Sequence, residues 1–282
     1  MPLPFRLLAL DIDGTLLNSQ FRSADRDLQA LRQVHAADAE IILCTGRRHT
    51  FAMPIAEMLG FDIWLVTSNG AVTRSSAGET FHRDLLAKET AITFCRHMQA
   101  YRAGTVVTFD QESKGALVVE DFAELSQTVS RWVETNREFI EVISPIEQAL
   151  TRDPVQTMVC GNLRMMQEAE AHLNAFSLLD QVTVLKTQYD HRDLCLLDVL
   201  TKDCSKGHAV ERWATHRGIH AAEIMAIGDN FNDIEMLDVA GIPFVMSNAA
   251  PEMKQRGYMH TASNDECGVA VAIEQVLAGA RA

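Results

Sequence analysis

The stretch LLALDIDGT, residues 7–15, decides how the rest of the chain is interpreted. Its first four residues are apolar and have the character of a buried β-strand. Two aspartates, Asp11 and Asp13, follow directly and are themselves followed by a glycine and a threonine. Carboxylates at the end of a core strand are costly unless something compensates their charge. The stretch therefore predicts a strand that ends in a polar site.

The composition is that of a globular protein rather than a disordered one. The chain has 282 residues, of which 47% are hydrophobic and 22% are charged, and this length is enough for two domains. The formal net charge of −13 argues against nucleic-acid binding, which requires clustered Lys and Arg. A phosphorylated small molecule is not excluded, provided that its site supplies positive charge or a metal ion.

The cysteines and the N-terminus predict a cytoplasmic protein with no membrane partner. The six cysteines are scattered and form no CxxC pair, so neither structural zinc nor a disulfide framework is expected. The first residues lack a basic segment followed by an apolar one, so no signal peptide is predicted. No apolar run approaches the roughly 20 residues that span a bilayer. These patterns carry no prediction of oligomeric state.

Short apolar runs alternate with helical periodicity at both ends of the chain, which is typical of a parallel α/β sheet. In the middle of the chain, strand-like and helix-like stretches continue, but none of them ends in the Gly, Asp or Thr residues seen earlier. The predicted fold class is therefore α/β. It has a Rossmann-like parallel-sheet core, formed by residues 1–82 and 197–282, and an inserted α+β domain of residues 83–196.

Three predicted core strands end in polar residues, in the segments DIDGT (11–15), TGR (45–47) and GDNFND (228–233). In open α/β sheets, ligands bind beyond the carboxyl ends of the strands, so these segments are expected to line one crevice. Lys206 lies in the sequence SKG at the predicted start of a helix and adds a positive charge. The combination predicts a site for an anionic ligand.

Four of the converging residues are aspartates: Asp11, Asp13, Asp229 and Asp233. Close like charges raise one another's pKa, so the four cannot all be ionised in a partly buried cleft without a cation. Oxygen ligands without histidine or cysteine favour a hard ion, and Mg²⁺ is the usual one. Lys206, the Thr45 hydroxyl and backbone N–H groups are expected to hold the remaining phosphate oxygens.

Other motifs do not fit this sequence. An EF-hand loop starting at Asp11 requires glycine at its sixth position and an acid at its twelfth, but the glycine is fourth and the twelfth residue is Arg22. The sequence also contains no GxxxxGK[ST], GxGxxG, GxSxG or HExxH.

With these motifs in order, the chain resembles the haloacid dehalogenase (HAD) superfamily of phosphotransferases. Within it, the chain is most similar to the Cof-type phosphatases with a large α/β (type IIB) cap. The matching segments are DIDGT (11–15), TGR (45–47), TSNGA (67–71), SKGHA (205–209) and GDNFND (228–233), with SNAAPEMK (247–254) and GV (268–269) near the C-terminus. The middle of the chain matches the cap in placement and length but carries no diagnostic motif.

The resemblance implies a mechanism through an aspartyl-phosphate. Asp11 would attack phosphorus, and Asp13 would protonate the leaving oxygen and then deprotonate the hydrolytic water. Mg²⁺ would be held by Asp11, the backbone carbonyl of Asp13, and Asp229. Asp233 would support the ion or Lys206 without binding the ion directly. The phosphate group would be bound by the Ile12 amide, Thr45, the Gly46 amide, Lys206 and Asn232.

Asp13 narrows the function that the resemblance implies, because phosphatases and phosphomutases of the superfamily have an acid two residues after the nucleophile. The predicted function is an Mg²⁺-dependent phosphatase for small phosphorylated metabolites, either sugar phosphates or cofactor phosphates. Two alternatives stay open, namely a sugar phosphomutase and a catalytically silent metabolite-binding protein. Asn69, before Gly70, is interpreted chiefly as a turn residue. Arg47 is interpreted as part of the solvated start of a helix, with contact to an anionic substrate as the alternative.

Overall fold

The structure is a computed structural model that describes residues 3–279, apart from the side chains of residues 126–128. It divides the chain into two compact units. The first contains the chain up to Arg83 and again from Ser205 onward, and the second is Asp84–Cys204. Among the described residues, no helix combines the length and the hydrophobicity that crossing a bilayer requires.

Strands and helices are numbered along the whole chain. The strands are β1 (Leu7–Asp11), β2 (Glu40–Cys44), β3 (Trp64–Thr67), β4 (Val72–Ser75), β5 (Thr80–Arg83), β6 (Thr105–Thr108), β7 (Leu117–Val119), β8 (Ile140–Val142), β9 (Gln156–Gly161), β10 (Val182–Tyr189), β11 (Leu194–Thr201), β12 (Ile224–Gly228), β13 (Ile242–Val245) and β14 (Met259–His260). The helices are α1 (Asp25–Ala36), α2 (His49–Glu57), α3 (Lys88–His97), α4 (Phe122–Asn136), α5 (Leu163–Leu173), α6 (Lys206–Arg217), α7 (Ile234–Asp238), α8 (Pro251–Lys254) and α9 (Gly268–Gly279).

The first unit is built on an eight-stranded sheet in the order β14-β13-β12-β1-β2-β3-β4-β5. Strand β1 is buried along its length because both faces of the sheet are covered. Leu8 and Leu10 join a core with residues of α1, α2 and α9. Leu7 and Ala9 point the other way and join a core with residues of α6 and α7. This alternation explains why β1 is continuously apolar in sequence.

The strand order brings the polar strand ends together. Strand β1 pairs in parallel with β12 on one side and with β2 on the other. Because the three strands run in the same direction, their carboxyl ends lie side by side at one edge of the sheet. The segments that begin at Asp11, Thr45 and Asp229 follow these three ends.

The second unit is an α+β unit with a six-stranded sheet in the order β10-β11-β9-β6-β7-β8. Its neighbouring strands are antiparallel except for β7 and β8, which are parallel. Residues of α3 and α5 pack in one hydrophobic core of this unit, and residues of α4 pack in another.

One predicted domain boundary is wrong. Residues from 197 onward were predicted to belong to the core, but the second unit continues to Cys204. The reason is that β11 is one continuous strand that pairs with β10 and β9 in the second sheet. An apolar run in sequence does not reveal which sheet it joins. The predicted core also included residues 1–2 and 280–282, which lie outside the described residues.

Candidate active site

A buried lysine is at the centre of the polar edge of the first sheet. Lys206 is the first residue of α6, whose N-terminus is capped by the Ser205 hydroxyl accepting the N–H of His208. The Lys206 ammonium donates to Oδ1 of Asp11 and to Oδ1 of Asp233, each at 2.6 Å. Burial alone would lower the pKa of Lys206, but attraction to the two carboxylates outweighs burial and raises it. The lysine is therefore charged and fixed in place.

The turn after β12 is closed by one of these carboxylates. Oδ2 of Asp233 accepts the backbone N–H groups of Asp229 and Asn230, each at 3.0 Å. The carboxylate of Asp229 is fixed separately, because its Oδ1 accepts the Thr15 hydroxyl at 2.9 Å. All three bonds are buried, so the two aspartates have defined orientations.

Gly14 allows the DIDGT segment to approach Asp229. Its φ is +87°, which is a left-handed conformation that favours glycine. A Cβ atom added to Gly14 would lie 2.3 Å from Oδ2 of Asp229. Any side chain at this position would therefore displace the Asp229 carboxylate.

Three buried carboxylates form a set of ligands suited to a cation. One oxygen from each of Asp11, Asp229 and Asp233 lies within 4.8 Å of the others. Burial raises the pKa of Asp11 to about 7, with repulsion from Asp233 adding to the effect and Lys206 opposing it. The pKa of Asp229 is also raised, by burial and then by Asp11 and Asp233. Three carboxylates beside one ammonium leave an excess of negative charge, and an all-oxygen set of ligands fits a hard divalent ion such as Mg²⁺.

The hydrogen bonds distinguish the roles of these carboxylates. Asp233 accepts three bonds, one from Lys206 and two from backbone N–H groups. These bonds engage both of its oxygens and fix the Asp233 carboxylate against Lys206 and the turn after β12. Asp11 accepts a side-chain bond from Lys206, and Asp229 accepts one from Thr15.

Asp13 is held by an arginine that the sequence analysis interpreted differently. Nε and Nη2 of Arg47 donate to the two carboxylate oxygens of Asp13, at 2.7 Å and 2.6 Å. Both side chains are 26% exposed. The interpretation of Arg47 as a solvated helix start is therefore wrong, because the guanidinium is committed to a bidentate ion pair. The sequence did indicate that Arg47 lies near the site, because it directly follows the Thr-Gly strand end. It did not indicate that Asp13 is its partner.

The remaining predicted phosphate ligands lie at the same strand ends. Thr45 is buried, and its hydroxyl accepts the N–H of Arg47 at 3.1 Å. Ile12 is fully buried, and Gly46 lies against the side chain of Asn69. Nδ2 of Asn232 donates to Oδ1 of Asn69 at 2.9 Å.

Three further residues of the site have partners that were not predicted from the sequence. Thr15, Arg47 and Asn69 were each part of a quoted motif, but no contact was assigned to them. The structure joins them to Asp229, Asp13 and Asn232, respectively.

Asp229 is a predicted ligand of Mg²⁺, so we expect Thr15→Val to weaken Mg²⁺ binding by about 10–100-fold, which is typical of losing a residue that orients a metal ligand. Valine keeps the shape of threonine but removes the hydroxyl that fixes Asp229. Thr73→Val is a matched control, because Thr73 is equally buried and its hydroxyl has no hydrogen-bond partner among the described residues. Calorimetric titration with Mg²⁺ measures both variants, and wild-type affinity in Thr15→Val would contradict the assigned role.

Comparison with known proteins identifies the family. The family model for haloacid dehalogenase-like hydrolases matches residues 8–273. The chain therefore belongs to the haloacid dehalogenase-like hydrolase family. The resemblance to this superfamily and the predicted α/β fold class are confirmed.

Individual relatives are similar over almost the whole chain. Phosphatase YwpJ of Bacillus subtilis (strain 168) is 27% identical over 291 residues, which cover 96% of this chain and 100% of YwpJ. The 5-amino-6-(5-phospho-D-ribitylamino)uracil phosphatase YwtE of the same organism is 27% identical, and the match covers 97% of this chain and 99% of YwtE. The solved structure of a haloacid dehalogenase-like hydrolase from B. subtilis has a TM-score of 0.79 and 25% identity, and the match covers 95% of this chain and 99% of that one.

Proposed function

We propose that this chain is an Mg²⁺-dependent phosphomonoester hydrolase that acts on small phosphorylated metabolites through an aspartyl-phosphate on Asp11. The observation that carries the proposal is the buried cluster in which the Lys206 ammonium lies 2.6 Å from the Asp11 carboxylate, beside Asp229 and Asp233. Buried charges of this kind contribute little to stability compared with well-packed apolar residues. A role in chemistry accounts for them better than a role in folding.

The chain's own residues supply each step of the proposed reaction. A carboxylate oxygen of Asp11 attacks phosphorus, so the Asp11–phosphorus bond forms as the bond to the leaving oxygen breaks. Asp13 gives its proton to that oxygen. Asp13 then takes a proton from a water molecule whose oxygen attacks phosphorus, which releases inorganic phosphate and restores Asp11.

The proposed ligands divide between the metal and the phosphate group. Asp11, Asp229 and the backbone carbonyl of Asp13 would hold Mg²⁺, and the ion would supply positive charge to the phosphoryl oxygens. Asp233 keeps Lys206 and the turn after β12 in position. The phosphate oxygens would be bound by the Ile12 amide, Thr45, the Gly46 amide, Lys206 and Asn232.

The Arg47–Asp13 ion pair adds a requirement to this mechanism. Proton donation requires an oxygen of Asp13 to face the leaving oxygen, whereas both of its oxygens accept hydrogen bonds from Arg47. The pair must therefore open before the leaving oxygen is protonated. An anionic substrate offers Arg47 an alternative partner, which would release Asp13 when substrate binds.

Sugar phosphates and cofactor phosphates are the proposed substrate class. Support comes from the names of the relatives, since YwpJ is a phosphatase and YwtE is a phosphatase of a phosphorylated ribityl compound. The cytoplasmic location and the exclusion of nucleic-acid and membrane partners stay predictions from the sequence.

The proposal is tested by measuring phosphate release from a panel of phosphorylated metabolites. The panel contains sugar phosphates, pyridoxal phosphate, flavin mononucleotide and a generic aryl phosphate, each with Mg²⁺. We expect release of inorganic phosphate from the aryl phosphate and from at least one metabolite. Interconversion of sugar phosphate isomers with little phosphate release would identify a mutase instead. Absence of both activities would contradict the proposed function.

A further inference from the structure

The turn after β3 has an unusual backbone. Ser68, Asn69 and Gly70 have successive φ values of 48°, 55° and 111°, all in the left-handed region. Serine rarely adopts this conformation. Asparagine adopts it more readily than most other non-glycine residues, but still uncommonly. Strained conformations persist where the surroundings impose them, and they concentrate at functional sites. The predicted turn is present, and its backbone conformation indicates that it also has a role in the site.

Backbone hydrogen bonds fasten this turn to the Thr-Gly-Arg loop. The N–H of Asn69 donates to the carbonyl of Thr45 at 3.0 Å, and the N–H of Ser68 donates to the carbonyl of Arg47 at 2.8 Å. The two bonds lie on either side of Gly46. The turn therefore fixes the loop whose hydroxyl and amide are proposed to bind phosphate.

The Asn69 side chain lies between two proposed phosphate ligands. It is 1% exposed, and its Oδ1 accepts a hydrogen bond from Nδ2 of Asn232 at 2.9 Å. A Cβ atom added to Gly46 would lie 3.1 Å from the same Oδ1 and 3.4 Å from Nδ2 of Asn69. The amide thus lies next to Gly46 and fixes Asn232 at the same time.

Gly70 brings the turn against the third element of the site. A Cβ atom on Gly70 would lie 2.2 Å from the carbonyl oxygen of Ser205 and 3.0 Å from the backbone nitrogen of Lys206. The absence of a side chain allows the turn to pack on the backbone that begins α6. One three-residue turn therefore contacts the segments that carry Thr45, Lys206 and Asn232.

We propose that Asn69 is a positioning residue of the phosphate pocket, which fixes the Asn232 amide through its side-chain oxygen and the Thr45–Arg47 loop through its backbone. An asparagine amide has two N–H groups, so the bond to Asn69 leaves one for a phosphate oxygen. The inference rests on the proposed phosphatase function for the identity of the ligand. The competing explanation is that asparagine is present only because it tolerates the left-handed backbone.

Glycine separates these explanations, because Asn69→Gly keeps the left-handed backbone and removes only the side chain. We expect Asn69→Gly to reduce kcat/KM for the aryl phosphate by about 3–10-fold, the usual range for one neutral hydrogen bond. Asn232→Ala loses a bond to a charged group and is expected to cost about 10–150-fold. Because Asn69 acts through Asn232, the double variant should be no worse than Asn232→Ala within a factor of about 2.

A second readout does not depend on turnover. The affinity for inorganic phosphate in the presence of Mg²⁺, measured by calorimetry, should fall in the same order and show the same lack of additivity. Asn69→Ala serves as the control for strain, because alanine is disfavoured in the left-handed conformation. We expect the Asn69→Ala protein to melt about 2–8 °C below the Asn69→Gly protein and to bind phosphate equally weakly.

Two results would overturn the inference. Wild-type kinetics and phosphate affinity in Asn69→Gly would show that only the backbone conformation matters. Losses that multiply in the double variant would show that Asn69 acts independently of Asn232. In both cases the wild-type protein is an active phosphatase, so these results differ from failure of the proposed function, in which the wild-type protein neither hydrolyses phosphate esters nor binds phosphate.

Discussion

Asp11→Asn is expected to lower kcat for an aryl phosphate by about 10⁴-fold or more, because a carboxylate nucleophile is replaced by an amide of nearly the same shape. Residue Asp11 is 4% exposed, and its carboxylate accepts a hydrogen bond from Lys206 at 2.6 Å. An asparagine oxygen can accept the same bond. The variant should therefore keep the geometry of the site while losing the group that bonds to phosphorus.

The thermal stability of Asp11→Asn should not fall with its kcat. Burial and the nearby Asp233 raise the pKa of Asp11 to about 7, so the ionised form is disfavoured in the folded, metal-free protein. A neutral asparagine removes this penalty. In the absence of divalent metal at pH 8, we expect Asp11→Asn to melt at or above the temperature of the wild-type protein.

Asp38→Asn is the matched control for this variant. Asp38 is exposed and has a φ of 62°, a conformation that asparagine tolerates, so the same chemical change is made away from the site. This control should retain full activity. Steady-state kinetics and thermal unfolding measure all three proteins, and full turnover by Asp11→Asn would refute its assignment as the nucleophile.

Removal of divalent metal is expected to lower kcat/KM by about 10²–10⁴-fold, and added Mg²⁺ should restore it. The physical reason is the excess of negative charge at Asp11, Asp229 and Asp233, whose oxygens lie within 4.8 Å of one another. Without a cation, the carboxylates cannot all ionise at neutral pH. Unchanged rates in excess chelator would remove the metal from the proposed mechanism.

The same charges predict a pH dependence of stability in the metal-free protein. The pKa of Asp11 rises from an ordinary 3.8 to about 7 in the folded state, and the pKa of Asp229 is raised as well. Between about pH 4 and pH 7 the folded state therefore binds more protons than the unfolded state. Their contribution to stability is fully present below the unfolded pKa and is lost as the pH rises through the folded pKa. The melting temperature in chelator should accordingly fall across this range.

Mg²⁺ should reduce that fall, because the ion binds the ionised carboxylates and stabilises the folded state at high pH. Thermal unfolding from pH 4.5 to 8.5, with chelator and with Mg²⁺, provides the comparison. Burial also raises the pKa of Asp27, a residue of α1 whose Oδ1 accepts the N–H of Ala270 near the start of α9. Asp27 contributes equally in both conditions, so only the difference between the two curves reports on the site. Two identical curves would contradict the metal assignment.

Much of the fold followed from patterns in the sequence. The apolar run of β1, with Asp11 at its end, predicted a buried strand whose carboxyl end carries polar residues. Two other predicted strands also end in polar residues, and the three strand ends were expected to line one crevice. The structure places β12, β1 and β2 side by side in parallel. These inferences succeed because periodicity and strand-end chemistry are local properties of the chain.

The partners of individual side chains depend on residues far away in the sequence and were not predicted. Thr15 bonds to a residue 214 positions away, and Asn69 to one 163 positions away. Arg47 was interpreted as solvated, yet it is paired with Asp13. The domain boundary moved to 204/205 because β11 joined the second sheet rather than the first.

The sequence by itself determined the fold class, the family and the set of polar residues at the strand ends. Only the tertiary structure decided which carboxylate braces Lys206, which is held by Thr15, and which is paired with Arg47. The physical reason is that a strand's hydrophobic pattern specifies that it is buried, whereas the partner of a buried charge depends on strand order, register and the path of the turns that follow.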